Sequence, residues 1–338
     1  METFAAARGA GIVALIGVCG CDGATQLAEP ERTLVMDAGG ASGSGRGDAG
    51  ANDMPREDAQ VISADARAGD AGNANARACN GHVELCARRY DEVVFAATHN
   101  AHSAEEYGYS ALNANQLSGF AKQLKDGVRA FLMDVYDDGG DHVFCHGPCA
   151  LGKTSHLDGL TIFADFLAAH PREVLTFIYQ DDLAAGKIAA DFVASGLDAY
   201  VFTHEAGSPW PTLETLIAQN TRLVVTAENG RPPPAWFHHV WEVAWDTPYE
   251  FKSAGDFSCT LNRGSRDNDL FLVNHWLGDA LGLPSKSGAM QVNAYEVLYG
   301  RVRGCWDETG DVPNFVAVDF YEYGDLLQVV DALNSEGG

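Results

Sequence analysis

From Asp91 onward, apolar runs of strand length alternate with longer amphipathic stretches. The runs are DEVVFAATH, VRAFLMDVY, HVFCH, EVLTFIYQD, RLVVTAE, HHVWEVAW, LFLVNHW and NFVAVDFYE, with LDGLTIFADFLAAH and LAAGKIAADFVASG among the stretches between them. Strands that are apolar on both faces and alternate with helices predict a parallel α/β sheet. Eight such runs within roughly 250 residues predict a (β/α)8 TIM barrel, a single domain over residues 78–338.

Polar residues punctuate these runs at their C-terminal ends. His99 and Asn100 follow VVFAAT, Asp134 closes AFLM, His146 closes HVFC, Gln180 follows LTFIY, Glu228 follows LVVTA, His275 follows LFLVN and Asp319 follows FVAV. In a barrel the strand ends converge on one face, where catalysis takes place. His102 and His142 are read as solvent-facing loop residues.

The chain ahead of the barrel has a different composition. Residues 1–21, METFAAARGAGIVALIGVCGC, carry one arginine and a short apolar run ending in small residues, too short to span a bilayer and suited to an export signal. VCGC resembles a bacterial lipobox, which makes Cys21, in preference to Cys19, the expected acylated residue; an ordinary cleaved signal is the alternative. Residues 22–77 are rich in Ala, Gly, Asp and Ser and have no aromatic residue, so they cannot bury enough surface to offset ordering entropy. They read as a disordered tether.

Export changes how cysteines are read, because thiols in an oxidising compartment pair. Cys79 with Cys86 and Cys145 with Cys149 are close enough for local bridges, which leaves Cys259 with Cys305. A formal net charge of −25 argues against nucleic acid and against electrostatic docking on anionic lipid. A small or neutral-headed substrate fits this charge better. Any membrane association would come from the lipid anchor alone, and the chain is expected to be a monomer.

Two histidines facing one another across a barrel mouth supply a general base and a general acid near neutral pH. Phosphodiester cleavage uses such a pair, together with a counter-charge for the developing phosphorane. A divalent cation on hard oxygen ligands can provide it, and Asn100, Asp134 and Gln180 offer such oxygens. Arg129, Glu228 and His275 are candidates for contacting substrate.

THNAHS, GVRAFLMDVYD, VFCHG and HPREVLTFIYQDD together resemble the X domain of phosphatidylinositol-specific phospholipase C enzymes, and more closely the secreted X domain-containing phosphodiesterases. The likeness runs from Cys79 to the C-terminus. It implies a distorted TIM barrel, His99 as base, His146 as acid, Asn100 and Asp134 as calcium ligands, and a late aspartate, best matched by Asp319, orienting the base. This chain departs from the pattern where the calcium-dependent enzymes have an acidic ligand two residues before the Asp134 position. It has Leu132 there, and Gln180 where a further carboxylate is expected, so any Ca2+ site is incomplete. A glycerophosphodiester phosphodiesterase-like enzyme and a non-catalytic binding module remain as alternatives.

One motif competes with this reading. GPCALGKT, Gly147–Thr154, matches the phosphate-loop pattern. Such a loop needs its Lys-Thr to open a helix, whereas KTSHLDGL delays the apolar helical pattern to about Leu160, and Pro148 removes a backbone donor. The match is read as coincidence, with no nucleotide expected and His146 the functional residue of the segment.

Overall fold

The computed structural model describes residues 77–336. The expected export segment, with Cys19 and Cys21, and the tether up to residue 76 lie outside the described residues. The strands are β1 (Phe95–Thr98), β2 (Ala130–Asp138), β3 (Asp141–Phe144), β4 (Thr154–Ser155), β5 (Leu175–Asp182), β6 (Leu223–Ala227), β7 (Phe237–His239), β8 (Ala244–Asp246), β9 (Leu270–His275) and β10 (Phe315–Val318). The helices are α1 (Phe120–Asp126), α2 (His156–Ala169), α3 (Ala185–Ser195), α4 (Leu213–Gln219), α5 (Val240–Val243), α6 (Lys286–Val292), α7 (Tyr295–Thr309) and α8 (Leu326–Glu336).

Eight parallel strands form one curled sheet in the order β7-β6-β5-β2-β1-β10-β9-β8. This is the expected distorted (β/α)8 barrel, with no ladder joining β7 to β8. The gap follows from the connection. Parallel neighbours need a crossover of about a dozen residues or more, and β7 and β8 are linked only by the four residues of α5. HHVWEVAW is therefore two short strands around a helical turn, where one strand was expected.

HVFCH is not a barrel strand either. β3 pairs antiparallel with β2, Asp138 opposite Asp141, across Gly139 and Gly140, both at positive φ. A two-residue glycine turn makes a hairpin and cannot make a parallel crossover. β2 accordingly runs past the barrel rim, and β3 brings the chain back to it.

Side chains alternate in and out along each strand. Phe95, Ala97, Ala130, Ile178, Val224, Leu272, Phe315 and Ala317 fill the barrel, while Ala96, Phe131, Phe177, Val225, Phe271 and Val316 pack outward under the helices. Tyr90 lies in the interior cluster and stacks on Trp210 at 4.9 Å, and its hydroxyl is 2.5 Å from that of Thr176. The same inward parity, followed to the C-terminal parts of the strands and just past them, points His99, Asp134, Gln180, Glu228, Asn274, Trp276 and Asp319 into the mouth.

The sulfurs pair as Cys79–Cys86, Cys145–Cys149 and Cys259–Cys305. Helix α2 begins at His156, earlier than the apolar pattern suggested, with Ser155 Oγ accepting from Asp158 N at 3.2 Å. Lys153 and Thr154 still do not open it. Thr154 belongs to β4, and Lys153 Nζ donates to Asp138 at 2.7 Å.

Candidate active site

His99 leaves β1 with its backbone N donating to Val318 O at 3.0 Å. Its Nδ1 lies 2.8 Å from Oδ1 of Asp319, a buried carboxylate that also accepts from Asn115 Nδ2 at 2.9 Å. Gln116 Nε2 donates to His99 O at 2.8 Å and Val318 O at 3.0 Å, locking the ends of β1 and β10 together. One ring face is covered by Trp276, centroids 3.8 Å apart and planes within 5°. A carboxylate on Nδ1 selects the tautomer that leaves the Nε2 lone pair facing the cavity.

Two non-glycine residues beside this pair sit at positive φ, Asn100 at 45° and Phe320 at 46°. Asn tolerates that region; for phenylalanine it costs about 1–2 kcal/mol. The Phe320 peptide is held there by Asn115 O, which accepts from Phe320 N at 2.7 Å. Strain of this kind persists where surrounding bonds over-determine it.

His146 follows the hairpin arm β3. Its Nδ1 donates to Asn113 O at 3.0 Å, while Asn113 Nδ2 donates to His146 O at 3.1 Å. Nε2 is left for the cavity, and the Cys145–Cys149 bridge closes the chain around the residue. Burial pushes the imidazole below its ordinary range, opposed by the bond to Asn113 and reinforced by His99. Asn113, Asn115 and Gln116 thus place one loop in contact with both histidine assemblies.

Asp134 sits opposite in a different environment. It is buried, and among the described residues no lysine or arginine forms a salt bridge with it. Burial, then Glu228 and Asp182, hold its carboxyl well above the usual range. The Asn100 amide lies between Asp134 and His99. With its nitrogen toward Asp134 it donates to both carboxylate oxygens, at 3.2 and 3.1 Å, and accepts from His99 Nε2 at 3.1 Å. That arrangement suits an imidazolium. With its oxygen toward Asp134, Nδ2 donates to His99 Nε2 at 3.1 Å, and only a proton or a cation relieves the facing oxygens.

His99, Asn100, Asp134, His146, Gln180 and Glu228 line one cavity of about 350 Å³, and Asp319 lines an adjoining one that shares both histidines. Gln180 donates its amide nitrogen to the hydroxyl of Tyr136, which lines the same cavity, at 3.2 Å. Glu228 is raised by burial and opposed by Arg263, whose Nη1 donates to it at 2.8 Å. Arg263 also clamps buried Asp246, through Nε at 3.0 Å and Nη2 at 2.6 Å, between the rings of Trp241 and Tyr249.

Two expected site residues are elsewhere. Arg129 stands at the N-terminal end of β2, the opposite end of the barrel, donating to Glu173 at 2.7 Å and to the Leu124 and Val128 carbonyls. His275 has the outward parity of β9. It is fully buried, bonded through Nε2 to Val292 O at 2.9 Å, and burial pushes it down to about 3. His102 and His142 are not solvent-facing loop residues. His102 is fully buried between Phe144 and Tyr109, and His142 lies in β3 with Nδ1 2.8 Å from Asp191. Asn113, Asn115, Tyr249, Arg263 and Trp276 were missed. The amide-rich run NANQ and the arginine in NRGSRD were the available signals, and inward parity marks Trp276.

Residues 85–334 match the PI-PLC X family, described as PI-PLC X 1, and the chain belongs to that family. It is 30% identical over 277 residues to a PI-PLC X domain-containing protein of Arthroderma benhamiae, covering 76% of this chain and 89% of that one. A PI-PLC X domain-containing protein of Arabidopsis thaliana is 27% identical over 65% of this chain and 55% of its own length. Among solved structures, the fold matches phosphatidylinositol-specific phospholipase C from Listeria monocytogenes with a TM-score of 0.51 at 16% identity, covering 75% of this chain and 97% of that one. The Staphylococcus aureus enzyme gives 0.52 at 13%, covering 74% and 94%.

Proposed function

We propose that this protein is a phospholipase C-type phosphodiesterase acting on a diester whose headgroup carries a neighbouring hydroxyl, with inositol phosphates as the first class to test. The observation that carries this reading is that both imidazoles are bound at Nδ1, by Asp319 and by Asn113 O, and both line one cavity. His99 Nε2 takes the proton of the headgroup hydroxyl as its oxygen attacks phosphorus. His146 Nε2–H protonates the departing alcohol oxygen as the P–O bond breaks. Asp319 stabilises the imidazolium formed on His99. The Glu228–Arg263–Asp246 network, with Asn274 Nδ2 donating to Asp246 at 3.0 Å, offers donors and acceptors for a polyhydroxylated ring.

Asp134 and the Asn100 oxygen would fit a hard cation: the carboxylate is buried without a basic partner among the described residues, and the Asn100 amide can turn either its nitrogen or its oxygen toward it. Leu132 in the cavity wall and the uncharged Gln180 amide make the donor set short of charge. Bound there, Ca2+ would supply positive charge for the phosphorane oxygens. The three disulfides, and a relative named as a secreted protein, 27% identical over 77% of this chain and 65% of its own length, support an exported protein. Anchoring through Cys21 is the accompanying proposal.

The test is a screen of inositol and non-inositol phosphodiesters followed by phosphorus NMR, with calcium and with chelator. Release of a cyclic or open headgroup phosphate that is lost in His99→Ala is expected. Retention of inositol phosphates without turnover of any diester would make the protein a binding module instead.

A further inference from the structure

The cavity at the barrel mouth does not end at the histidines. A second cavity of about 420 Å³ opens beyond them and shares only His99, His146, Tyr249 and Trp276 with the first. Both volumes are in the range of small-molecule sites, roughly 300–1,000 Å³. The second is walled by the segment Glu250–Lys252 and the turn Gly278–Pro284, with Asn115 and Asp319 also contributing to its lining.

Those walls are built and braced. Gly278 N donates to Phe251 O at 3.0 Å, and Lys252 Nζ to Asp279 O at 2.9 Å. Asp279 Oδ1 accepts from Leu281 N at 2.7 Å and Leu283 N at 2.9 Å, while its backbone N donates to Leu283 O at 2.8 Å. Buried Phe251 packs with Leu277 and Val292 and lies beneath the Arg301 guanidinium. A side-chain Cβ added at Gly278 would come within 3.2 Å of both Gly282 Cα and Lys252 Nζ, so the turn and the lysine meet with no room to spare.

A phosphodiester carries two alcohols. The base serves one and the acid serves the other, so two cavities meeting at the two histidines correspond to its two halves. Resting on the phosphodiesterase reading above, we infer that the second cavity is a subsite for the leaving alcohol. It takes a compact hydroxylated alcohol of glycerol or monosaccharide size. Its lining combines Lys252, Glu250 and Asn115 with the rings of Tyr249, Phe251 and Trp276 and short apolar surfaces from Leu283 and Pro284. That mixture hydrogen-bonds hydroxyls, whereas two acyl chains would lie against an ammonium and a carboxylate and leave them poorly solvated.

Three esters of one inositol phosphate headgroup test this: methyl, glycerol, and diacylglycerol presented in detergent micelles. Contacts to the leaving alcohol realised in the transition state raise kcat/KM, and a filled pocket contact is worth about tenfold or more. The glycerol ester should therefore exceed both others by about tenfold. Leu283→Trp, which fills the cavity away from the histidines, should remove that advantage and leave the methyl ester within about twofold. Equal turnover of glycerol and methyl esters, preference for the micellar lipid, or an equal loss for both soluble esters in Leu283→Trp would overturn the subsite while leaving the phosphodiesterase reading intact. No turnover of any ester would overturn that reading and the subsite with it.

Discussion

The two sides of the cavity differ in how fully their polar groups are matched. On the His99 side every group is answered: Asp319 by His99 and Asn115, Asn115 O by Phe320 N, and the imidazole face by Trp276. On the Asp134 side a buried carboxylate has only an amide before it and acidic neighbours beyond. Preorganised partners around a proton-transfer group cost nothing at the moment of reaction. A buried carboxylate with an amide but no cation beside it, by contrast, lowers stability until something positive or protic arrives. The fold therefore sets a fully bonded His99 assembly, the finished side, next to a buried Asp134 with no basic partner among the described residues, the unfinished side.

The largest effects should fall on the finished side. His99→Ala and His146→Ala should each cost about 10²–10⁴-fold in kcat. A p-nitrophenyl ester separates the two roles, because a phenolate departs without a proton. It should restore His146→Ala to within about tenfold of the parent chain while His99→Ala stays inactive. Equal rescue of both variants would mean that the roles are not divided in this way. Next in size is Asp319→Asn, which removes the charge that sets the His99 tautomer. Loss of such an orienting charge costs up to about 10⁴-fold in kcat in a Ser-His-Asp triad, and a smaller effect than in Asn115→Ala would place the orienting charge elsewhere.

The unfinished side makes a prediction of opposite sign. Asp134 is raised above the unfolded carboxylate value, so its folded form favours the proton. The stability this contributes is complete below the unfolded value and is lost as pH rises through the raised folded value. At pH 7 in chelator, Asp134→Asn should therefore raise Tm, by about 2–4 °C for each kcal/mol regained in a domain of this size. Calcium should raise the Tm of the parent chain and leave that of Asp134→Asn unchanged. Differential scanning calorimetry in both conditions decides it. A destabilised Asp134→Asn that is insensitive to calcium would show that the carboxylate is a structural hydrogen-bond acceptor.

Much of this was legible in the sequence because strands have a period of two. His99, Asp134, Gln180, Glu228 and Asp319 share parity with the inward residues of their strands, which is why strand-end polarity found them. The same rule, applied strictly, excludes His275 and selects Trp276 beside it. Arg129 precedes its strand, and polarity before a parallel strand lies at the barrel floor. The hairpin was written in DDGGD, yet a run of apolar residues outweighed the turn. Arg263 and Asn115 sit in loops, where no period constrains direction, so their roles emerge only once the barrel brings distant segments together. The shortage of acidic residues around Asp134 was legible from Leu132 and Gln180, whereas the absence of a basic partner for Asp134 among the described residues required the fold.

The smallest expected effects are the most discriminating, because they come from one loop. Asn113 and Asn115 are two residues apart, yet the first holds His146 and the second holds the aspartate behind His99. Replacing either by Ala removes side-chain hydrogen bonding worth about 0.5–1.5 kcal/mol, so kcat should fall roughly twofold to tenfold in each. The Asn113 carbonyl that binds His146 Nδ1 belongs to the backbone and survives the change; what is lost is the grip on His146 O. Asn113→Ala should therefore act only through the acid, and its deficit should vanish on a p-nitrophenyl ester. Asn115→Ala acts through the base, and its deficit should persist with either leaving group. If both deficits vanish or both persist, the loop tunes general stability alone and the assignment of one asparagine to each histidine is wrong.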